Sequence, residues 1–549
     1  MPPLATHQGP VGQALSPARI FCDRQAGQAE APALPKQAHR LLALLVLAAG
    51  VLPAGQMERA GNTYQLKFTE GDGQIEWISA SSFRFTRSWS GRVALHEPLS
   101  GEPVEIKASG VDGKFRFETR YLAVEIDDAG AHLRVDDSKS KRLLASTIGK
   151  GAVESAIAAG ERFYGLGPRR SAKLDLRGSV IETERPFLVS SAGYGEYFPA
   201  PGRYKFDLGA SQPGRRRTLA PDERIEFFFY YGPTPKEIFD QHLTVAGEDR
   251  GTYEFTLRDR GAAARAGTWA TLREAIAEME HASFSGIMAA PFDLGPFQAA
   301  GGRLYESAAR LASMLPRVLT ARGDRSLLID ERQRWIPYLA AYGYEARVRG
   351  NPFVRPLEME FPDDGRAQGR MGEFMIGDEL LVAPRLSEES KVGVYLPPGI
   401  WTDLRTNAVY RGRQEVVVDA ADSMPLFSRN GQIVPIAESG VYELHYFPKL
   451  GGEFFLYESG IPDVTQVHAA PAVDDYRVEI ESQVARDYEW VIRHIGKCTK
   501  VVGDGVAFTE VRDRKELADR TWYYDAAIEA IRIRVHARAG ADHIVNISF

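Results

Sequence analysis

The chain has 549 residues, of which 44% are hydrophobic and 26% are charged, and its formal net charge is −6 at pH 7. This composition excludes a disordered chain, and the mixed charges leave no basic stripe that could follow a nucleic-acid backbone. The two cysteines, Cys22 and Cys498, give neither a disulfide framework nor a zinc motif. No catalytic metal and no cofactor are therefore predicted.

Residues 1–55 form a leader that ends in a signal-like segment. A basic stretch that includes Arg40 precedes the apolar run 41–52, which is followed by small residues. This pattern is typical of a secretory signal peptide, and the run is too short for a membrane span, which needs about 20 residues. A buried helix is the alternative. Because signals normally begin a chain, we expect a start codon placed too early, and an exported mature protein with Cys498 as its only thiol.

Residues 56–231 contain short segments in which apolar and polar residues alternate, such as TYQLKF, KFRFET and LAVEID. Gly and Asp turn signals separate them at regular intervals. Period-two alternation with such turns predicts antiparallel strands that form a β-sandwich.

Residues 232–384 have a different pattern. The segments GPTPKEIFDQHLTVAG, WATLREAIAEMEHASFSG, GRLYESAARLASMLPRVL and ERQRWIPYLAAYGYEARVRG have helical spacing, and GIMAAPF predicts a short buried parallel strand. Alternating helices and buried strands indicate an α/β domain. Strand patterns then return in residues 385–440 and 441–549, which predicts two further β domains.

Specific motifs carry a family resemblance. ERFYGLG, DLRG and PFLVSSAGYGEYF resemble the N-terminal sandwich of glycoside hydrolase family 31, the α-glucosidase and α-xylosidase family. YYGPTPKEIFDQHLTVAG resembles the family's entry into its barrel, and RWIPYLAAYGYEARVRGNPFVRPLEMEFPDD resembles the exit. GDELLVAPRL and FFLYESG resemble its two C-terminal sandwiches. The resemblance implies a galactose-mutarotase-like sandwich, a (β/α)₈ barrel, two more sandwiches and an α-linked sugar or oligosaccharide as ligand.

The barrel segment is too short. A (β/α)₈ barrel needs about 250 residues, whereas residues 232–384 supply only its beginning and its last units. Most of five βα units are missing by comparison with the family, so the prediction is a truncated barrel. Such a fragment exposes strand edges, which leaves a homo-oligomer open.

The resemblance also shows which catalytic groups to expect. The family's nucleophile is an Asp in a Trp-x-Asp-x-x-Glu motif, which this sequence lacks. Its acid/base is an Asp five residues before a Trp; if Trp269 is that Trp, Ala264 takes the place of the Asp. A substrate-holding His after a Pro-Arg pair is replaced by Ala321. No catalytic residue is therefore assigned.

Two substrate-binding candidates remain. PFDLGPF resembles the family's Asp-Ile-Gly-Gly-Phe, in which the Asp binds sugar hydroxyls, and this implies that role for Asp293. The alternative is that Asp293 caps the segment that follows it. Arg258 matches an Arg that ends the family's sixth strand, and the alternative is a surface ion pair with Asp259 or Glu254.

Other polar and aromatic groups are weaker candidates. Acidic residues in loop-like stretches of the α/β segment are expected to be solvated charges; they are Asp249, Asp259, Asp324, Asp330 and Glu331. The FPDD pair, Asp363 and Asp364, is expected to be structural. Aromatic residues that could stack on sugars are more simply explained as core; they are Tyr194, Tyr197, Phe198 and Trp522.

Three functional hypotheses follow. The first is a degenerate family 31 protein without glycosidase activity. The second is a non-catalytic carbohydrate-binding or scaffold protein. The third is an active α-glycosidase that uses unrecognised carboxylates, since family membership alone does not establish catalysis.

Overall fold

A computed structural model describes residues 55–90, 93, 99, 102–111, 113–247, 256–259, 265–321, 325–458, 460–461, 463–472 and 475–549. The predicted signal peptide, Ala264, Glu254, Asp249 and Asp324 lie outside them. The described residues divide into two compact units. One runs to Asn430 and includes Pro435–Ser439, and the other takes in Gly431–Val434 and Gly440–Phe549.

The first unit begins with two antiparallel sheets. The eight-stranded sheet has the order β1-β2-β3-β4-β17-β14-β13-β11, and the nine-stranded sheet has the order β12-β15-β16-β10-β9-β8-β7-β6-β5. The strands are β1 (Met57–Ala60), β2 (Thr63–Lys67), β3 (Asp72–Ser79), β4 (Ser82–Ser88), β5 (Lys107–Val111), β6 (Lys114–Glu118), β7 (Leu122–Asp127), β8 (His132–Asp137), β9 (Arg142–Gly149), β10 (Ala152–Ala156), β11 (Phe163–Gly165), β12 (Val180–Thr183), β13 (Phe187–Ser190), β14 (Tyr194–Tyr197), β15 (Tyr204–Asp207), β16 (Arg215–Leu219) and β17 (Ile225–Tyr231).

The predicted sandwich is confirmed by the way in which these sheets share a core. Tyr64 of one sheet meets Phe117 of the other edge to face, with ring centroids 5.0 Å apart. Strand β7 alternates between buried and half-buried residues along its length, as its sequence predicts. Trp77 is fully buried in the same cluster. Burial of large aromatic residues between two sheets is the main stabilising contribution in a sandwich.

The α/β segment packs on the outer face of the eight-stranded sheet. Its elements are α1 (Pro235–Ala246), β18 (Thr256–Asp259), α2 (Trp269–Phe284), β19 (Phe292–Asp293), α3 (Gly295–Ala300), α4 (Gly302–Ser313), β20 (Arg317–Thr320) and α5 (Ser326–Arg349). Tyr230, Ile238 and Phe284 are buried in one cluster that joins the sheet to α1 and α2. Four of these helices lie in the segments predicted to be helical. The stretch GRLYESAARLASMLPRVL is helical only to Ser313, and its last three residues, 317–319, belong to strand β20 instead. The predicted strand in GIMAAPF is limited to its end, because β19 begins only at Phe292.

A smaller β region completes the first unit. It comprises β21 (Val354–Pro356), α6 (Leu357–Glu360), β22 (Phe374–Ile376), β23 (Leu380–Val382), β24 (Lys391–Leu396), β25 (Ile400–Asp403), β26 (Val409–Arg411), β27 (Gln414–Asp419) and β28 (Leu426–Arg429). Six strands form a sheet in the order β21-β22-β23-β28-β25-β26, and β24 pairs with β27. Trp401 and Tyr395 are fully buried in the core of this region.

The second unit is almost entirely β. Strand β29 (Ile433–Glu438) leads into it. The remaining strands are β30 (Val441–Tyr446), β31 (Gly452–Leu456), β32 (Thr465–Pro471), β33 (Asp475–Ser482), β34 (Arg486–Arg493), β35 (Lys500–Gly503), β36 (Val506–Ala507), β37 (Thr509–Glu510), β38 (Thr521–Asp525), β39 (Ala530–Ala537) and β40 (Ala541–Ser548). One sheet contains β30-β34-β39-β38-β37, and the other has the order β31-β32-β33-β40-β35-β36. The chain is therefore mostly β, as predicted.

Candidate functional site

The candidate site is the carboxyl end of a three-stranded parallel sheet with the order β18-β20-β19. Leu319 of β20 is the register partner of Arg258 on one side and of Asp293 on the other. Residues in register on parallel strands project to the same face, and two strand spacings separate these backbones by about 10 Å. The two binding candidates are therefore brought to one face of one sheet. Arg258 is exposed and Asp293 is half-buried.

Asp293 is the last residue of β19 and begins the turn into α3. Its Oδ1 accepts a hydrogen bond from the Gly295 backbone N at 3.2 Å. The capping role that the sequence offers as the alternative is thus present in the structure. A side chain that caps a turn is also held in a fixed position at the strand end, where loops of a parallel α/β sheet form binding sites.

Ala321 lies beside this turn. A methyl group placed on Gly295 would lie 3.2 Å from Oδ1 of Asp293 and 3.8 Å from Cβ of Ala321. The position that matches the family's histidine is thus next to Asp293, but it presents a methyl group. The Ala321 backbone N donates to Oε1 of Gln298 at 2.7 Å. Gln298 is a polar residue at this edge that the sequence analysis missed, because one glutamine on a short helix gives no motif.

Trp269, the residue used to locate the missing acid/base, opens α2. Thr268 caps the helix by accepting a hydrogen bond from the Thr271 backbone N at 3.1 Å. The Trp269 Nε1 donates to Oε1 of Glu388 at 2.7 Å, and the Arg385 guanidinium lies 5.6 Å from the Trp269 ring centroid. These two contacts from the loop after β23 were not predicted, since they join residues far apart in sequence.

Among the other carboxylates, one prediction is wrong. Asp330 and Glu331 lie within α5, whereas loops were predicted, because the helix already begins at Ser326. Asp259 is the last residue of β18, in register with Thr320. Asp364 is structural, since it accepts a hydrogen bond from the Tyr395 hydroxyl at 2.6 Å.

The aromatic candidates belong mainly to the cores. Tyr194, Phe198 and Trp522 are buried, and Tyr197 is half-buried with its ring stacked 6.0 Å from that of Phe228. The Tyr194 hydroxyl donates to Oε1 of Glu161 at 2.9 Å. None of these four rings forms an exposed platform for a sugar.

A buried ion network fixes the exit of the α/β segment. Arg355 donates to Glu345 at 3.0 Å and to Asp378 at 2.5 Å, and Lys236 donates to Asp378 at 2.7 Å. Burial alone would raise the pKa of Asp378, but the charges of Lys236 and Arg355 hold it well below its usual range. Burial, with the neighbouring Asp378 charge, raises the pKa of Glu379. Because burying a charge is tolerated only when it is paired, this network ties helices α1 and α5 together.

Within the described ranges, no group of three or more His, Cys, Asp or Glu side chains is arranged to hold a metal ion. Of the helices described above, none is both long and apolar enough to cross a membrane.

Comparison with known proteins finds matches within one family. Residues 350–434 match the family model of the glycosyl hydrolase family 31 C-terminal domain. An α-glucosidase of Saccharolobus solfataricus is 33% identical over 109 residues, which are 20% of this chain and 15% of that enzyme. These matches support a glycoside hydrolase family 31 protein. An α-glucosidase 2 of Bacillus thermoamyloliquefaciens is 26% identical over 201 residues, which cover 32% of this chain and 25% of that enzyme.

Solved structures show the same fold. A family 31 dextranase of Flavobacterium johnsoniae, crystallised as a mutant with isomaltotriose, aligns with a TM-score of 0.76 at 15% identity. The alignment covers 90% of this chain and 99% of that one. The sequence matches to the curated relatives span a quarter or less of those proteins.

Proposed function

We propose that this family 31 chain has a truncated barrel, has lost glycosidase chemistry, and retains at most a weak affinity for an α-linked sugar through Asp293 and Arg258. The observation that carries the proposal is the methyl group of Ala321 beside Asp293. A methyl group can neither hydrogen-bond a sugar hydroxyl nor transfer a proton.

The catalytic requirement supports this interpretation. Retaining glycosidases need two carboxyl groups about 5–5.5 Å apart, one as nucleophile and one as acid/base. In a barrel these groups come from the carboxyl ends of different strands. The chain lacks the nucleophile motif, and Ala264 stands at the position that the resemblance gives to the acid/base. Without both groups, neither half of the double displacement has its catalyst.

The strand order supports the truncation. A (β/α)₈ barrel places consecutive strands side by side, whereas β20 here lies between β18 and β19. Strand β18 is thus paired with the last strand of the segment rather than with the next one. This order is understandable if the strands that would normally flank β18 are missing from the chain.

A second candidate function is hydrolysis by recruited carboxylates. Asp293 ends β19, on the same face of the sheet as Arg258. It is therefore the first carboxylate to test if activity is found.

The test uses Asp293→Asn, because an asparagine oxygen can still cap Gly295 while the charge is lost. We expect purified protein to release no aglycone from aryl α-glucosides or α-xylosides above a mock preparation. Calorimetry with isomaltotriose is expected to show weak binding that is lost in Asp293→Asn and kept in Asp363→Asn, a change at an exposed acid.

Hydrolysis above the mock preparation would contradict the degenerate function. If that hydrolysis were abolished by Asp293→Asn, the second candidate would replace the first. Equal sugar binding in wild type and Asp293→Asn would remove Asp293 from the site.

We also propose that the protein is exported, on the basis of the basic stretch and apolar run before residue 55. Intact mass of the protein from the medium or periplasm is expected to show a chain that begins close to Gly55. Recovery of the uncleaved chain from the cytoplasm would contradict export.

A further inference from the structure

A cleft lies in the first unit, away from the carboxyl end of the parallel sheet. It is bounded by helix α4, by Arg385 and by the loop between β27 and β28. Helix α4 contributes Arg303, Glu306, Ser307 and Arg310. Three of the residues that line this cleft are therefore arginines.

The spacing on α4 places its polar groups on one face. Positions 303, 306, 307 and 310 follow the i, i+3, i+4 and i+7 pattern, which stacks side chains along one side of a helix. Arg303 and Arg310 are two turns apart, which is about 10 Å along the axis. One helix thus presents two guanidinium groups to the same cleft.

Arg385 is fixed in place before any ligand binds. It is only 5% exposed, and its Nε donates to the Ser387 carbonyl oxygen at 2.9 Å. Its Nη2 donates to the Glu388 carbonyl oxygen, and the guanidinium lies beside the Trp269 ring. Its Nη1 makes no hydrogen bond to the residues that the structure describes. A buried, immobilised guanidinium with a remaining donor loses little entropy on binding an anion.

The charges of the cleft are not balanced internally. The lining residues include three arginines and one acidic residue, Glu306. Among the described residues, Arg303, Glu306 and Arg310 form no ion pair within 4.0 Å, although i,i+3 and i,i+4 partners are present on the same helix. The Nε of Arg310 is also buried without a hydrogen-bond partner. An excess of positive charge in a cleft attracts anions.

We propose that this cleft binds a small tetrahedral oxyanion, a phosphate or sulfate group that is either free or carried by a sugar. Three arginines along one cleft suit a ligand with several acceptor oxygens. A planar carboxylate is satisfied by one guanidinium in a bidentate pair. The proposal does not depend on the glycosidase site, since the cleft shares no residue with Asp293 or Arg258.

The experiment is calorimetric titration with inorganic phosphate at constant ionic strength, with chloride as the background anion. We expect saturable binding that weakens at least tenfold in Arg303→Gln and in Arg310→Gln, because each removes a charge-assisted hydrogen-bond donor. Arg405→Gln is the matched control, since it removes an exposed arginine of the same unit. Arg303 is exposed, so its variant is expected to fold, and thermal unfolding checks this for each protein.

Comparison of ligands separates the two sources of the oxyanion. Tighter binding of glucose 6-phosphate than of phosphate, with no binding of glucose, supports a sugar-borne group. Equal binding of both phosphates supports the free anion. An absence of saturable phosphate binding, an equal loss in Arg405→Gln, or acetate binding as tight as that of phosphate would each overturn the proposal.

Discussion

The rings of Tyr164 and Phe284 stack with their centroids 4.3 Å apart and their planes within 15°. Tyr164 belongs to strand β11 of the sandwich, and Phe284 is the last residue of α2. The sandwich therefore supports the helix that follows β18. The α/β segment therefore takes part of its stability from the sandwich.

Replacement of Phe284 tests how much the contact contributes. Phe284 is 1% exposed, and Phe→Ala changes in a core cost about 3–5 kcal/mol. We expect Phe284→Ala to lower the free energy of unfolding of the first unit by about this amount. Urea unfolding monitored by tryptophan fluorescence measures the change. Ile336→Ala, at an exposed position of α5, should change the midpoint little. A change no larger than that of Ile336→Ala would mean that α2 is held elsewhere.

Gly377 and Gly247 both have positive φ, 68° and 58°. An alanine at either position would therefore suffer similar backbone strain, so a comparison of the two variants isolates the effect of side-chain crowding. A methyl group on Gly377 would lie 2.2 Å from Cε2 of Tyr342, whereas none of the described residues lies within 4 Å of one on Gly247. Left-handed backbone costs an alanine about 1–2 kcal/mol, and overpacking adds about 1–3 kcal/mol. Gly377→Ala should therefore be the more destabilising variant in denaturant unfolding. Equal losses of stability in the two variants would show that the Tyr342 ring can move aside.

The buried ion pair between Arg216 and Glu196 links the two sheets of the sandwich, and both side chains are almost fully inaccessible. Loss of one partner from such a pair leaves a buried charge and costs about 3–5 kcal/mol. We expect a loss of this order in Glu196→Gln by urea unfolding. Glu184→Gln, which removes the exposed pair with Arg203 at 3.4 Å, should cost no more than about 1 kcal/mol. Comparable losses in both variants would argue against a special cost of burial.

His242 is expected to make folding sensitive to acid. Burial lowers the pKa of His242 to about 3, and its ring stacks on that of Phe187 at 3.7 Å. Below an unfolded pKa of about 6.5, the unfolded chain takes up a proton that the folded chain does not, so stability falls as pH falls. The contribution is about 1.4 kcal/mol per pH unit between those two pKa values. Stability is measured by urea unfolding from pH 7 to pH 4.

In that series, His242→Gln should show a shallower fall than wild type, whatever its stability at pH 7. His132→Gln is the control, because its side chain is 71% exposed. If His242→Gln and wild type fall in parallel, His242 is not neutral in the folded protein at acidic pH.

Much of the local structure follows from the sequence. Helix α1 begins where Pro235 follows Thr234, and Thr234 and Glu237 form a capping box, with the Thr234 backbone N donating to Oε2 of Glu237 at 2.9 Å. Helix α2 buries Leu272, Ile276 and Met279, as its periodicity predicts. These features depend on residues within one or two turns of each other, so neighbouring positions in the chain are enough to specify them.

The tertiary structure alone decided which distant groups meet. The strand order β18-β20-β19 brings Arg258 and Asp293 onto either side of Leu319, and no local pattern encodes that order. The pairing of Trp269 with Glu388 likewise joins a helix to a remote loop. Periodicity reports which face of an element is apolar, but the choice of neighbour depends on the packing of the whole unit. The sequence by itself predicted the family resemblance and the β-rich architecture, whereas the arrangement around Asp293 and the arginine cleft required the fold.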